Sequence, residues 1–184
     1  MEASAQLASR AMGAGFFTLF GAAWLLYWAH PFPGPHPLVA AAICLAAAAL
    51  LWACVRQYRR HRGALAAVAD TPQRRRSRRV FHVVNTLQWI AILVVGNVLN
   101  HTGHGEWILA AVILIVGLHM FPLAAAFAYR PHYVTGLALV LLALAYPLLA
   151  PGGPADLSAG LGAGIILWLS AAWALKPSRP RRGA

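Results

Sequence analysis

Chemistry in this chain would have to rest on amides and imidazoles, and one stretch concentrates them. His82, Asn85, Gln88, Asn97 and Asn100 are followed closely by His101, His104 and Glu106. At about 100° per residue, Asn85, Trp89, Leu93, Gly96, Asn97 and Asn100 fall within about 60° of His82 on a helix, with Gln88 on the flank. The stripe is polar at both ends and holds Trp89, Leu93 and Gly96 between. It is expected to point into a helix bundle, because an amide facing lipid would lack a partner. There it would line a pathway or cavity for a solute. The alternative is a set of interhelical hydrogen bonds, each worth about 0.6 kcal/mol. The residues leave both open.

His119 is the one ionisable side chain far from any charged or loop segment, and it sits between Gly117 and Pro122. Pro122 has no N–H for the Leu118 carbonyl, so a kink is expected there. Counted from the inner ends of their segments, His119, Asn85 and Gln88 match in depth to within about a turn at ~1.5 Å per residue. A His119–amide pair is therefore expected, with a neutral His satisfied by one neighbour as the alternative.

The run His101-Thr102-Gly103-His104-Gly105-Glu106 carries two imidazoles and a carboxylate, ligand types that suit Zn²⁺ or Cu²⁺. It is short, loosened by glycine and without Cys. Histidines at a membrane surface, charging near pH 6, are the competing reading. Haem would need two deep axial histidines, and only His119 is deep. No cofactor is expected. Cys44 and Cys54, ten residues apart on one helix, lie about 15 Å apart and cannot pair. No Ser or Cys nucleophile has a His and an acid in sequence context, so the chain is expected not to be an enzyme.

The elements that must hold these groups follow from the gaps between charges. The chain has 184 residues, 60% hydrophobic and only 10% charged, yet a net charge of +11. Soluble domains carry roughly 25% charged residues. Neither a disordered basic tail nor a nucleic-acid-binding domain fits so much apolar sequence. Uncharged runs cover 11–55, 80–105, 107–129, 131–155 and 157–175. A crossing needs about 20 apolar residues. The first run is broken by His30-Pro31-Phe32-Pro33-Gly34-Pro35-His36-Pro37, which cannot continue a helix. Six crossings result, at about 11–29, 38–55, 80–100, 107–127, 133–150 and 157–175. The fold class is an all-α polytopic membrane bundle, a single transmembrane domain over 1–184.

Basic residues orient it. With both termini cytoplasmic, all 15 Lys and Arg fall on one side, as the positive-inside rule requires. Arg10 precedes the first span, nine Arg lie in 56–79, Arg130 joins the fourth and fifth spans, and Lys176, Arg179, Arg181 and Arg182 follow the sixth. Trp89 and Trp168 lie deep and are expected to fill the bundle.

Segment 56–79 reads as a basic cytoplasmic loop with one interfacial turn at 63–69. Thr71 and Pro72 fit the N-cap and first position of the next helix. Its arginines either contact anionic headgroups, at about 1 kcal/mol each, or serve only to set topology; a nucleic-acid partner is not expected. Short turns at 129–132, 101–106 and 151–154 make spans three to six consecutive antiparallel neighbours. Whether the six spans form three hairpins or an inverted 3+3 repeat is open. Gly160 and Gly164, four apart, make a smooth face for close packing within the chain or between protomers.

The stretch Gly117-Leu118-His119-Met120-Phe121-Pro122-Leu123-Ala124, followed by Tyr133-Val134-Thr135-Gly136, resembles a signature recurrent among small six-span bacterial inner-membrane proteins. The resemblance covers about 20 residues and implies no activity; it directs attention to His119 and Pro122. The 14 Arg against one Lys, with abundant Ala, also suit a GC-rich bacterial genome. Three functions stay open: a small transporter- or channel-like protein using the span-three amides and His119, a non-catalytic scaffold, stress factor or complex partner, and a metal-binding redox protein.

Overall fold

The structure is a computed structural model describing residues 2–30 and 36–176. Most of the Pro-rich segment after His30, and Arg179, Arg181 and Arg182, lie outside the described residues, as does the His36 side chain. Six α-helices and no strand are present among the described residues: α1 (Glu2–Ala29), α2 (His36–Ala67), α3 (Pro72–His101), α4 (Ile108–Phe127), α5 (Pro131–Leu149) and α6 (Ser158–Ala174). Short 3-10 turns at Gly105–Trp107 and Gly153–Ala155 precede α4 and α6. Five helical stretches are long and apolar enough to cross a membrane: Ala3–Ala29, Pro37–Ala67, Pro72–His101, Gly105–Phe127 and Pro131–Leu149. The sixth expected crossing corresponds to α6, whose 17 residues rise about 25 Å, short of a hydrocarbon core of roughly 30 Å. An all-helical membrane protein is what these helices are compatible with.

Helix α2 does not stop where the apolar run stops. It continues through Arg56, Arg59, Arg60 and Arg62 to Ala67, so the expected loop 56–79 is mostly helix, joined by residues 68–71. Hydropathy marks where a helix would leave lipid, whereas the backbone ladder ends only at a breaker. Arg and Ala are good helix formers, and a single Gly63 costs about 1 kcal/mol at most. The break comes at Asp70-Thr71-Pro72. There the local expectation holds: Pro72 opens α3 and the Thr71 side chain accepts from the Arg74 N–H at 3.4 Å.

The described residues fall into two compact units, one of 2–30, 36–69 and 167–176, the other of 70–166. In the first, α1 presents Ala5, Ala8, Ala11, Ala14 and Thr18, all at 0–1% exposure. This three-to-four-residue spacing of small side chains lets α1 and α2 backbones pack closely. Ala14, Cys54, Ala171 and Ala174 form one buried cluster. The Thr18 hydroxyl donates to the Ala14 carbonyl at 2.8 Å. Trp168 on α6 donates its indole N–H to the Thr18 carbonyl at 3.0 Å. Trp168 thus fills this unit as expected of a deep Trp with a polar handle.

In the second unit α3, α4 and α5 are successive antiparallel neighbours, as the short turns require. The α4–α5 pair is the tight one. A Cβ on Gly117 would lie 2.9 Å from the Val140 backbone nitrogen, and one on Gly136 would lie 2.8 Å from the Gly117 carbonyl oxygen. Helix α4 runs unbroken through Pro122 and ends on Ala128 in the left-handed region (φ 49°), whose N–H caps the last turn. Gly162 of α6 meets Leu142 of α5, where a Cβ would come within 2.9 Å of Leu142 Cδ1.

Candidate functional site

The structure divides the span-three stripe. Helix α3 contains no buried residue, and its contact with α4 is anchored by Ser77, whose hydroxyl donates to the Ala126 carbonyl at 2.7 Å. The Phe81 and Phe127 rings, 6.2 Å apart, continue the same seam. Asn85, Gln88 and Gly96 are half-buried on or beside that seam. His82, Asn97 and Asn100 are exposed, and Trp89 is 48% exposed. His82 and Asn100 lie about 140° around the helix from Ser77 at ~100° per residue. The expectation that the whole stripe points inward, with Trp89 filling the bundle, is therefore corrected.

The physical reason is local hydrogen bonding. Asn97 donates its side-chain N–H to the Leu93 carbonyl at 2.7 Å, and His101 Nδ1 donates to the Asn97 carbonyl at 2.9 Å. The Thr102 hydroxyl donates to the Val98 carbonyl at 2.9 Å. Polar side chains that bond back one turn need no partner helix, so their polarity does not set the phase of α3.

The run 101–106 stays open. His101, His104 and Glu106 are all exposed, and His104 Nδ1 lies 3.3 Å from the Thr102 hydroxyl. Among the described residues no group of three or more His, Cys, Asp or Glu is placed to hold a metal ion. Asp156 has a structural task. Asp156 accepts from the Ser158 N–H at 2.8 Å and from the Gly152 N–H at 3.1 Å, tying the α5–α6 turn. These bonds, the Ser158 backbone N–H first, hold its carboxyl below the ordinary carboxylate range. Tyr146, at 5% exposure, donates to the Pro154 carbonyl at 3.0 Å in the same turn.

What remains inside the second unit is a small polar group. His119 is half-buried on α4, and its Nδ1 lies 2.7 Å from the Val116 carbonyl oxygen. This own-helix bond replaces the expected His119–amide pair. Gln88 is the exception among the amides: its Oε1 is buried with no hydrogen-bond partner. An acceptor left so in an apolar surrounding costs about 1–3 kcal/mol.

Two residues of this kind were not singled out by spacing. Thr18 is the buried hydroxyl of the first unit, and its only sequence signal is a lone polar residue following an Ala series at three-residue spacing. His132 reads as a turn residue but belongs to the first turn of α5. Its ring stacks edge-on to Tyr129 at 4.8 Å. Comparison of the chain with protein-family models, with curated proteins and with solved structures finds no match to any of the three.

Proposed function

We propose that the chain is a six-span protein of a bacterial inner membrane, with both termini cytoplasmic, that admits a small uncharged solute at a polar site in its second unit. Asn85 and Gln88 of α3 and His119 of α4 are the residues of that site. One observation carries the reading: Gln88 Oε1 is a buried acceptor with no partner, on a helix otherwise peripheral to its unit. The absence of Asp, Glu, Lys and Arg from the uncharged runs supports a neutral solute, since a charge at that depth would lack a counter-charge. Positive-inside placement of the Lys and Arg supports the orientation. It also brings the Arg-rich segment 56–79 against anionic headgroups.

The test is solute flux into liposomes containing the purified protein, followed by light scattering. Flux above that of empty liposomes, and its loss in Gln88→Leu, is the expected result. Equal flux with and without protein would sink the transport reading.

A second reading has its own observation. His82 and Asn100 on the exposed face of α3 favour a helix that docks against a partner or another copy in a membrane complex, since lateral polar contacts stabilise helix association. Disulfide trapping with Asn100→Cys in native membranes tests it; no crosslink at that position would count against it.

A further inference from the structure

Helix α3 has no buried residue, and the side it turns away from its unit carries a regular pattern. Ser77 and Phe81 mark the inward side. Counted from Ser77, Gly96 lies about 100° around the axis, Trp89 about 120°, His82 and Asn100 about 140°, Leu93 about 160° and Thr86 about 180°. Gly96 is half-buried on the flank and the others are exposed. Thr86, Leu93 and Asn100 are spaced seven apart, and so are His82, Trp89 and Gly96. The second series stands three residues after the first, so together they repeat every 3.5 residues, the period that winds two helices into a left-handed coiled coil.

Lipid is a poor occupant for this stripe. The exposed mid-helix residues of α4 and α5 are aliphatic, among them Leu118, Leu141 and Leu144. Trp89, by contrast, is 48% exposed near the middle of α3, where hydrocarbon offers its indole N–H no acceptor. Asn97 bonds back to its own helix, whereas the Asn100 carboxamide makes no such bond among the described residues.

The stripe is complementary to itself. Copies inserted with the same orientation run their α3 helices parallel, so each stripe residue meets its own counterpart at the same depth. A carboxamide both donates and accepts, so Asn100 can satisfy Asn100 of the other copy. One Asn in such a repeat favours two parallel strands and fixes their register. Four residues before it, a Cβ on Gly96 would have nothing within 4 Å, which leaves that backbone open to close approach. Toward the inner end Arg75 and Arg79 stand on the same side, each about 160° from Ser77. Their charges repel between copies, so the pair is closest at Gly96 and Asn100 and parts toward the arginines.

Resting on the docking reading given above for His82 and Asn100, we infer that the partner is a second copy of this chain, paired in parallel through the α3 stripe.

The test uses the full chain carrying Cys44→Ala, purified and reconstituted in lipid vesicles; Cys54 is buried and stays. Leu93→Cys lies on the stripe and Leu87→Cys off it, and both positions are exposed. On oxidation, Leu93→Cys should give a species of twice the chain's mass and Leu87→Cys little or none. Adding Gly96→Val to Leu93→Cys should abolish that species while circular dichroism stays unchanged, since the site has room within the chain. Asn100→Leu should weaken association about threefold in a dilution series followed by energy transfer between labelled copies, the average worth of one polar contact between membrane helices. Equal crosslinking at 87 and 93, or crosslinking at 93 that survives Gly96→Val, would overturn the inference. Pure protein that stays monomeric, while Leu93→Cys in native membranes crosslinks to a different protein, would refute the second copy and leave the docking reading standing. No crosslink in either setting would refute both.

Discussion

Gly117 and Gly136 stand in for one another across the α4–α5 crossing: a Cβ on either would meet the other's carbonyl oxygen, at 3.1 Å from Gly117 and 2.8 Å from Gly136. The absence of two side chains sets how closely these helices approach. It also sets where His119, two residues on from Gly117, is held.

Gly117→Ala and Gly136→Ala are each expected to destabilise the protein by about 1–3 kcal/mol, because the clash is with backbone that cannot swing aside. Gly13→Ala is the control, since nothing lies within 4 Å of a Cβ there. It should be neutral or stabilising by up to about 1 kcal/mol. Reversible unfolding in mixed detergent micelles measures all three, and equal midpoints for Gly117→Ala and Gly13→Ala would refute the close crossing.

Trp168→Phe keeps an aromatic side chain, smaller than the indole, and removes the N–H donor to the Thr18 carbonyl. A loss of about 1 kcal/mol is expected, the net worth of one neutral hydrogen bond. Trp173→Phe serves as the comparison, because Trp173 is 51% exposed and its replacement should leave the unfolding midpoint unchanged.

Asp70 holds Arg75 at 2.9 Å and Arg78 at 2.8 Å. All three side chains are about half exposed or more, at 48%, 70% and 65%, so the pairs contribute at most about 0–1 kcal/mol. Asp70→Asn should therefore barely change stability. It frees two guanidinium groups, and should raise the affinity of a peptide spanning 66–82 for anionic vesicles, with a steeper salt dependence. Unchanged vesicle binding would show that these arginines do not reach headgroups.

Asp156 supplies a pH dependence whose sign follows from its bonds. Its carboxyl is held below the ordinary range in the folded chain by the Ser158 and Gly152 N–H groups. The stability it contributes is present above the unfolded value and is lost as pH falls through the lower folded value. Acidification should thus lower the thermal midpoint of the native protein, and Asp156→Asn should show a shallower fall over the same acid interval. Parallel acid limbs for the two proteins, followed by circular dichroism, would contradict the capping role.

How much was legible in advance depended on the range of the interaction. The N-cap at Thr71, Pro72 at the helix start and the antiparallel order of α3, α4 and α5 are written in neighbouring residues and short turns, and the structure has them. Sequence by itself also determined the apolar helical class, because it depends on side-chain transfer between water and lipid, residue by residue. Only the tertiary structure decided which face of α3 is inward. Asn97 and His101 satisfy themselves on carbonyls one turn back, so packing at Ser77 and Phe81 sets the phase instead. It likewise decided that α2 runs on to Ala67, and that Gly117 lies against Gly136 and Trp168 against Thr18. Those contacts join residues far apart in the chain or on different helices, where shape complementarity between surfaces chooses the partner and no local pattern encodes it.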